Sequence, residues 1–274
     1  MTRRQMRGTK ARIAVAGAVA AVAATAWGVT ALVDPGHDTN HQNVSRRTDD
    51  PAKGGDAEPQ APGKPGGQVP DGIAHASESG GGTVNITIDD GPDPKWTPKV
   101  LEVLEKYEVK AVFCMIGPQA KDHPELVRKV VAGGHRLCDH TMDHNTGMDK
   151  KPFPYQQQQI LDAKKQIEEA AGGGAKVQYY RAPGGSFTPE SRALAAANGM
   201  RPLGWNIDTK DFSKPGVAAI VGTVKNEIGN GPTILFHDGG GDRTQSVEAL
   251  DQVLAWLKEQ GRPTGFPVVT GPSA

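Results

Sequence analysis

Two histidines and two adjacent carboxylates carry the strongest chemical signal in this sequence. His140 and His144 lie four residues apart, so on a helical turn both imidazoles would point the same way and could bind one ion. Asp89 and Asp90 are neighbours that precede a Gly-Pro pair. Two histidines and one aspartate leave a coordination position open for water, and the second aspartate is free to accept a proton. These residue types predict a hydrolytic metal site, although surface histidines and a solvated turn are simpler interpretations of each pair alone.

Three further polar residues follow other apolar runs of the chain. Arg181 and His237 each end such a run, and Asp211 lies shortly after another. Taken singly, each has a simpler explanation: a surface arginine stacked on a tyrosine, a core histidine and a turn cap. However, the carboxyl ends of parallel strands meet at one edge of a sheet, and active sites form there. If the runs are parallel strands, these side chains and both aspartates lie together at that edge of the sheet.

Apolar runs of strand length alternate with helix-length segments along residues 83–274. The predicted strands are 83–88, 109–116, 136–139, 177–181, 202–207, 233–237 and 266–269. The predicted helices are 97–104, 124–133, 156–171, 188–199, 217–228 and 247–260. Strands separated by helices favour a parallel α/β fold. We expect a distorted, incomplete (β/α) barrel of about seven parallel strands, with an open, doubly wound sheet as the alternative.

The first 82 residues differ in composition from the rest. Residues 1–12 are basic with no acidic side chain, and residues 13–33 carry no charge, a stretch long enough to span a bilayer. We expect residues 1–33 to be a cleaved signal peptide or a membrane anchor, two alternatives that the sequence leaves open. Residues 34–82 are rich in proline and glycine, which is typical of a disordered, flexible linker. The protein is therefore expected to be secreted or membrane-anchored and extracytoplasmic, with its folded domain at 83–274.

Charge and cysteine content exclude several classes of protein. Lys plus Arg (31) equal Asp plus Glu (31), so no overall positive field would attract nucleic acid. Two cysteines are too few for a four-cysteine zinc module or a disulfide-built scaffold. If the second and third predicted strands are neighbours, Cys114 and Cys138 could lie close enough to form one disulfide. Free buried thiols are equally compatible with the sequence.

Five short motifs occur in a fixed order across the predicted domain. They are Thr87-Ile88-Asp89-Asp90-Gly91-Pro92, His140-Thr141-Met142-Asp143-His144, Arg181-Ala182-Pro183-Gly184-Gly185, Asp208-Thr209-Lys210-Asp211-Phe212 and Leu235-Phe236-His237-Asp238. Together they resemble the motifs of the polysaccharide deacetylases, carbohydrate esterase family 4 with its NodB homology domain. The resemblance covers about 83–269. It implies a distorted α/β barrel, removal of acetyl groups from sugars, and a divalent metal ion, commonly zinc, with cobalt, nickel or another divalent ion as alternatives.

The resemblance implies roles for ten residues by their positions in the motifs. Three would bind the metal ion: Asp90, His140 and His144. Two pairs would move protons: Asp89 as general base beside its charged partner Arg181, and His237 as general acid oriented by Asp211. Three would contact the substrate: Gly184 through a backbone N–H that faces the oxyanion, and Leu235 and Phe212 at the acetyl pocket.

Two positions depart from the family pattern near the predicted acetyl pocket. Gly184-Gly185 stand where many members carry an aromatic residue after Arg-x-Pro, and Phe212 stands where a Trp is frequent. We therefore expect a pocket that keeps an apolar wall but is more open on one side. This departure affects the expected substrate preference and leaves the expected chemistry unchanged.

The resemblance implies a metal-dependent hydrolase that releases acetate from glycans containing N-acetylglucosamine, such as peptidoglycan or chitin oligomers. Two alternatives remain, an esterase acting on the O-acetyl groups of xylan and a non-catalytic glycan-binding module on the same fold. Loss of a metal ligand or of the base would favour the module, yet all of them are present. An N-terminal leader followed by a long tether suggests a substrate in the cell wall. We expect a monomer that contacts the membrane only through residues 1–33, if these are not cleaved.

Overall fold

The computed structural model describes residues 69–270, which contain eight strands and seven α-helices. The strands are β1 (Val84–Asp89), β2 (Ala111–Met115), β3 (Arg136–Asp139), β4 (Val177–Tyr180), β5 (Arg201–Pro202), β6 (Ile207–Asp208), β7 (Thr233–His237) and β8 (Thr264–Gly265). The helices are α1 (Thr97–Lys106), α2 (Gly117–Asp122), α3 (Pro124–Ala132), α4 (Phe153–Ala171), α5 (Pro189–Ala197), α6 (Val217–Glu227) and α7 (Thr244–Glu259). Five of these helices begin with a proline in the first turn, where its missing N–H costs nothing.

All pairings between the strands are parallel, in the order β5-β4-β3-β2-β1-β7-β6, and β8 pairs with β1. Read around the sheet, this order is the order of the sequence from β1 to β7, so the strands wind in one direction as in a barrel. The predicted incomplete parallel barrel is therefore confirmed. The helix α2, which the sequence pattern did not predict, lies between β2 and β3.

The barrel is incomplete because one predicted strand is divided between its two edges. The sequence predicts a single strand over 202–207, but β5 pairs with β4 at one edge and β6 pairs with β7 at the other. The chain between them crosses the opening, with the Leu203 N–H donating to Tyr180 O and the Asn206 N–H donating to Thr233 O. We call residues 201–208 the seam segment. The prediction of one strand here is wrong because an apolar run shows burial and does not show which neighbours it pairs with.

The last residues assigned to the linker belong to the packed structure. Ala74 is fully buried and bridges Leu203 in parallel, and Ser77 bridges Pro267. The Val268 N–H donates to Ala76 O, so the predicted strand 266–269 pairs with this segment, whereas β8 lies slightly earlier in the chain. The predicted domain start at 83 is therefore too late. The amino-acid composition did not reveal that this segment is packed, because backbone hydrogen bonds hold it in place and these do not depend on apolar side chains.

The barrel has two buried layers that follow the alternation of side chains along each strand. Outward-facing residues such as Ile86 and Phe113 pack under the helices in the main apolar core. Inward-facing Val112, Cys114, Cys138, Tyr179 and Leu203 form a smaller interior cluster. Cys114 and Cys138 are register partners on β2 and β3 and form a disulfide, so the disulfide alternative holds and the free-thiol alternative does not.

The predicted leader, 1–33, and most of the predicted linker lie outside the described residues. Within residues 69–270, every helix is too short or too polar to cross a bilayer.

Candidate active site

Asp89 and Asp90 lie where β1 ends and the chain turns away from the barrel. Asp89 is the last residue of the strand and is 2% exposed. Asp90 has a φ of 78° and donates its N–H to Cys114 O. A positive φ is uncommon for a residue other than glycine and is a feature of functional sites. The turn points the two neighbouring carboxylates into the same cavity with different surroundings.

Asp90, His140 and His144 form a cluster whose potential ligand atoms all lie within 4.8 Å of one another. Asp90 Oδ1 lies 3.1 Å from His144 Nε2 and 3.6 Å from His140 Nε2. Residues 140–144 form an irregular loop and not a helical turn, with φ values of 70° at Thr141 and 53° at His144. The imidazoles converge through this loop geometry and not through helical spacing.

Hydrogen bonds around the cluster leave its ligand atoms facing one another. His140 Nδ1 lies 2.7 Å from Arg181 O, and since a carbonyl only accepts, Nδ1 carries the proton and Nε2 presents its lone pair. Asp90 Oδ1 is buried and accepts no well-aligned hydrogen bond from the described residues. A buried carboxylate oxygen without a donor is costly. A cation shared with the two Nε2 atoms would satisfy it, so the residues present fit a divalent metal ion.

The electrostatics of the cluster also suit a metal ion. Burial alone would raise the pKa of Asp90, but the neighbouring imidazoles, first His144 and then His140, outweigh it and lower the pKa to about 2. Burial lowers the pKa of His140, with Asp89 and Asp90 opposing that shift. Asp90 is therefore an anion and His140 is neutral near pH 7, which are the forms that bind metal ions. The bond to Asp90 raises the pKa of His144, so this imidazole gives up a proton when it binds an ion.

Arg181 and Asp89 form a buried ion pair behind the cluster. Arg181 Nη1 lies 2.6 Å from Asp89 Oδ1, and Arg181 is fully buried. The guanidinium also donates to Thr87 Oγ1, Leu203 O and Gly204 O at 2.9 to 3.2 Å. These bonds offset the cost of burying the charge. Asp89 Oδ2 lies away from the arginine, 3.5 Å from His140 Nε2.

His237 and Asp211 form a second pair on the other side of the cavity. Asp211 Oδ1 accepts from His237 Nδ1 at 2.7 Å, and Oδ2 accepts from the His237 backbone N–H at 3.0 Å. Burial opposes a charge on His237, but the bond to Asp211 outweighs it and raises the pKa of the imidazole. Burial likewise opposes a charge on Asp211, yet His237 holds its pKa below the usual range. The pair therefore favours a protonated imidazole whose Nε2 is left for a substrate.

A cavity of about 430 Å³ opens among these groups. Eight of the ten predicted residues line it, while Arg181 and Asp211 stand behind Asp89 and His237: Asp89, Asp90, His140, His144, Gly184, Phe212, Leu235 and His237. Phe212 is 46% exposed and its ring packs edge-on against His237 at 5.4 Å. All ten predicted residues therefore belong to one site.

Four residues line the cavity in addition to those with predicted roles: Thr146, Trp205, Asp208 and Lys210. Asp208 and Lys210 belong to the fourth motif but were given no role, whereas Trp205 and Thr146 lie outside the motifs. Trp205 and Thr146 lie beside Gly185 and Gly184, on the side where we expected a more open pocket. That side is therefore closed by residues from two other loops. Trp205 lies three residues before the fourth motif and Thr146 two residues after the second, so nearness to a motif was the available signal for both.

The fold resembles that of known carbohydrate esterases. A peptidoglycan N-acetylglucosamine deacetylase in complex with 4-naphthalen-1-yl-N-oxidanyl-benzamide superposes with a TM-score of 0.65 at 28% identity, over 71% of this chain and 90% of that one. A mutant of a CE4 family pseudoenzyme with restored enzymatic activity superposes with a TM-score of 0.62 at 29% identity. This chain is matched over 67% of its length and spans 65% of that structure. The fold is that of carbohydrate esterase family 4.

The sequence matches the same group. The model of the family described as polysaccharide deacetylase matches residues 76–203. A chitooligosaccharide deacetylase of Sinorhizobium fredii is 36% identical over 197 residues, which is 68% of this chain and 90% of that protein. The chain belongs to the polysaccharide deacetylase family.

Proposed function

We propose that the protein is a metal-dependent deacetylase that releases acetate from glycans containing N-acetylglucosamine. The observation that carries this proposal is the convergence of Asp90, His140 and His144 on one point at the rim of a cavity. The same cavity holds a carboxylate paired with arginine and an imidazole paired with aspartate. An amide needs an activated water, charge stabilisation on its carbonyl oxygen and a proton for its nitrogen. The site offers a group for each requirement.

Asp90, His140 and His144 would hold the metal ion as three protein ligands. Two imidazole nitrogens and one carboxylate oxygen suit zinc, although other divalent ions accept the same set. When bound, such an ion lowers the pKa of water and polarises a carbonyl group. His140 is held ready for this role by its bond to Arg181 O, which fixes the ring and its tautomer.

Asp89 is proposed to accept the proton of the attacking water. Arg181 holds Oδ1 at 2.6 Å and so orients the carboxylate, while Oδ2 faces the cluster. Because Arg181 has no contact with the cavity itself and is fully buried, we regard it as a positioning residue. A fixed base close to the nucleophile contributes by avoiding reorganisation during proton transfer.

His237 is proposed to give a proton to the departing nitrogen. Asp211 holds Nδ1 and favours the imidazolium, so Nε2 can donate. The backbone N–H of Gly184 would donate to the carbonyl oxygen as it becomes negative. Leu235 and Phe212, both lining the cavity, would contact the acetyl methyl group. No covalent intermediate with the protein is needed.

The substrate class is proposed from the relatives and from the leader. The matched proteins are named as deacetylases of chitooligosaccharides and of peptidoglycan N-acetylglucosamine. We propose that residues 1–33 place the enzyme outside the cytoplasm, which makes peptidoglycan the first substrate to test. One structural neighbour is a pseudoenzyme, so family membership alone does not establish turnover.

An acetate-release assay tests the proposal directly. Purified protein with zinc added, and the same protein treated with a chelator, is incubated with chitin oligomers, peptidoglycan and acetylated xylan. We expect acetate and new primary amines from one of the first two substrates, and loss of both after chelation. Acetate from xylan alone would establish the esterase alternative. Glycan binding without acetate from any substrate, with the metal bound, would establish a non-catalytic module.

A further inference from the structure

Trp205 occupies the side of the cavity that the sequence of the third motif leaves without a side chain. An ideal Cβ on Gly185 would lie 3.2 Å from Trp205 Cη2, and Gly185 has a φ of 74°. The neighbouring Gly184 has a φ of 61°, and a Cβ there would lie 3.2 Å from Thr146 Cβ. A side chain at either glycine would therefore meet both steric and backbone resistance. Trp205, Gly184 and Gly185 therefore form one side of the cavity without room for a further side chain, and we call these three residues the wall.

The indole packs against Arg181, a fully buried side chain of the site. Arg181 Cζ lies 5.5 Å from the centre of the Trp205 ring, within the range of a cation–π contact. The guanidinium is also bound by the two residues before the tryptophan, through Leu203 O and Gly204 O. Three consecutive residues of the seam segment thus contact Arg181. The indole therefore packs on a guanidinium whose position is fixed by a buried ion pair and three further hydrogen bonds.

The position of this wall in the cavity indicates which part of a substrate would contact it. Trp205 is half-buried and lines the same cavity as Asp89 and His237, and its ring packs against Arg181, which bonds directly to Asp89. A polymeric sugar chain must remain at the mouth of the cavity. The acyl group on its nitrogen is the part that can enter the cavity beside the reacting groups.

We propose that Trp205 is a specificity-determining residue that limits the length of the acyl group the enzyme removes. This inference rests on the proposed deacetylase function and adds to it the basis of acyl selection. In a fitted apolar wall, room for one methylene changes the specificity between analogues by roughly 10-fold or more. Wild-type protein should therefore prefer N-acetyl over N-propionyl and N-butyryl groups on the same glycan.

The test compares three acyl chains on one glycan backbone. Chitosan oligomers carrying N-acetyl, N-propionyl or N-butyryl groups are incubated with wild-type protein and with the variants Trp205→Ala and Trp205→Phe, each loaded with zinc. Release of the carboxylic acid gives kcat/KM for each chain length. We expect the ratio of N-butyryl to N-acetyl hydrolysis to rise about 10-fold or more in Trp205→Ala. Trp205→Phe, which keeps a ring over Arg181, should give a smaller rise.

The ratio separates a specificity role from a structural one. If all three rates fall together and the ratio stays within twofold of wild type in both variants, the proposal is overturned. Trp256→Phe is the matched control, because this half-buried indole lies on α7 with Lys225 Nζ 5.7 Å from its ring and should leave the ratio unchanged. If the wild type releases acetate but the ratio does not respond, only this inference fails. If it releases no acid from any oligomer, nor from peptidoglycan carrying the same three acyl groups, the deacetylase function itself fails.

Discussion

The two sides of the cavity reach their geometry by different means. On the acid side, Asp211 uses both carboxylate oxygens to hold His237, so protein groups alone satisfy the pair. On the metal side, Asp90 Oδ1 has no well-aligned donor among the described residues. Positive φ values occur on both sides, at Asp90 and His144 and also at Lys210 beside Asp211. Backbone conformations of this kind cost of order 1–3 kcal/mol each. The acid side is complete as folded, whereas we propose that the metal side is completed by a cation.

This difference predicts which changes each side tolerates. Removing one partner from the metal side should remove the cation and with it the charge stabilisation on which all later steps depend. Removing Asp211 should leave the metal side intact and alter only the proton that His237 carries. The variants below test the two sides separately, from the largest expected effect to the smallest.

His140→Ala is expected to have the largest effect. Without one of three protein ligands the cation should be lost, and a bound ion contributes several kcal/mol to the transition state, so turnover should fall on the order of 1000-fold or more. Metal content by mass spectrometry and acetate release check both outcomes. Zinc should raise the Tm of the wild type through binding to the folded state, and this rise should be absent in the variant. His123→Ala, which removes a histidine that lies 3.7 Å from Glu125, is the matched control.

Asp89→Asn separates the base from the ligands. We expect metal content like that of wild type and a loss of turnover of about 1000-fold, since general base catalysis contributes roughly 10²–10⁴-fold. The amide also leaves Arg181 without its buried anion, and breaking a buried ion pair destabilises a fold by about 3–5 kcal/mol. Thermal unfolding should therefore be measured beside kcat. Activity near that of wild type would contradict the role of Asp89 as the base.

Asp211→Asn tests the acid side through its pH dependence. Because Asp211 raises the pKa of His237, the protonated imidazole persists to higher pH in the wild type. Activity that requires this proton should fall as pH rises through the pKa of His237. In the variant that alkaline limb should move to lower pH, with a loss of about 100-fold at neutral pH and no change in metal content. An unchanged alkaline limb would show that another group supplies the proton.

The sequence predicts the site better than it predicts the fold around it. Eight of the ten predicted residues line one cavity, and Arg181 and Asp211 bond to two of those eight, because their chemistry and order are visible as motifs. The irregular loop at 140–144 was not predicted, because the spacing of two histidines does not determine the backbone angles between them. The division of 202–207 into β5 and β6 depends on strand pairing across the whole sheet, which local patterns do not contain. The place of Trp205 in the site was not predicted for the same reason, because the tryptophan contacts Gly185 from a distant segment of the chain.

The disulfide beneath the metal side gives the smallest expected effect on activity. Cys114 and Cys138 join β2 and β3, and Cys114 O accepts the N–H of Asp90. A bridge across 24 residues stabilises a fold by about 3 kcal/mol through the unfolded chain, while the parallel ladder between the two strands remains without it. We therefore expect Cys114→Ala/Cys138→Ala to unfold at lower denaturant concentration but to keep its zinc content and kcat within about twofold. If a folded variant loses its zinc, the disulfide, and not only the hydrogen bonds between β2 and β3, holds Asp90 in place for the metal ion.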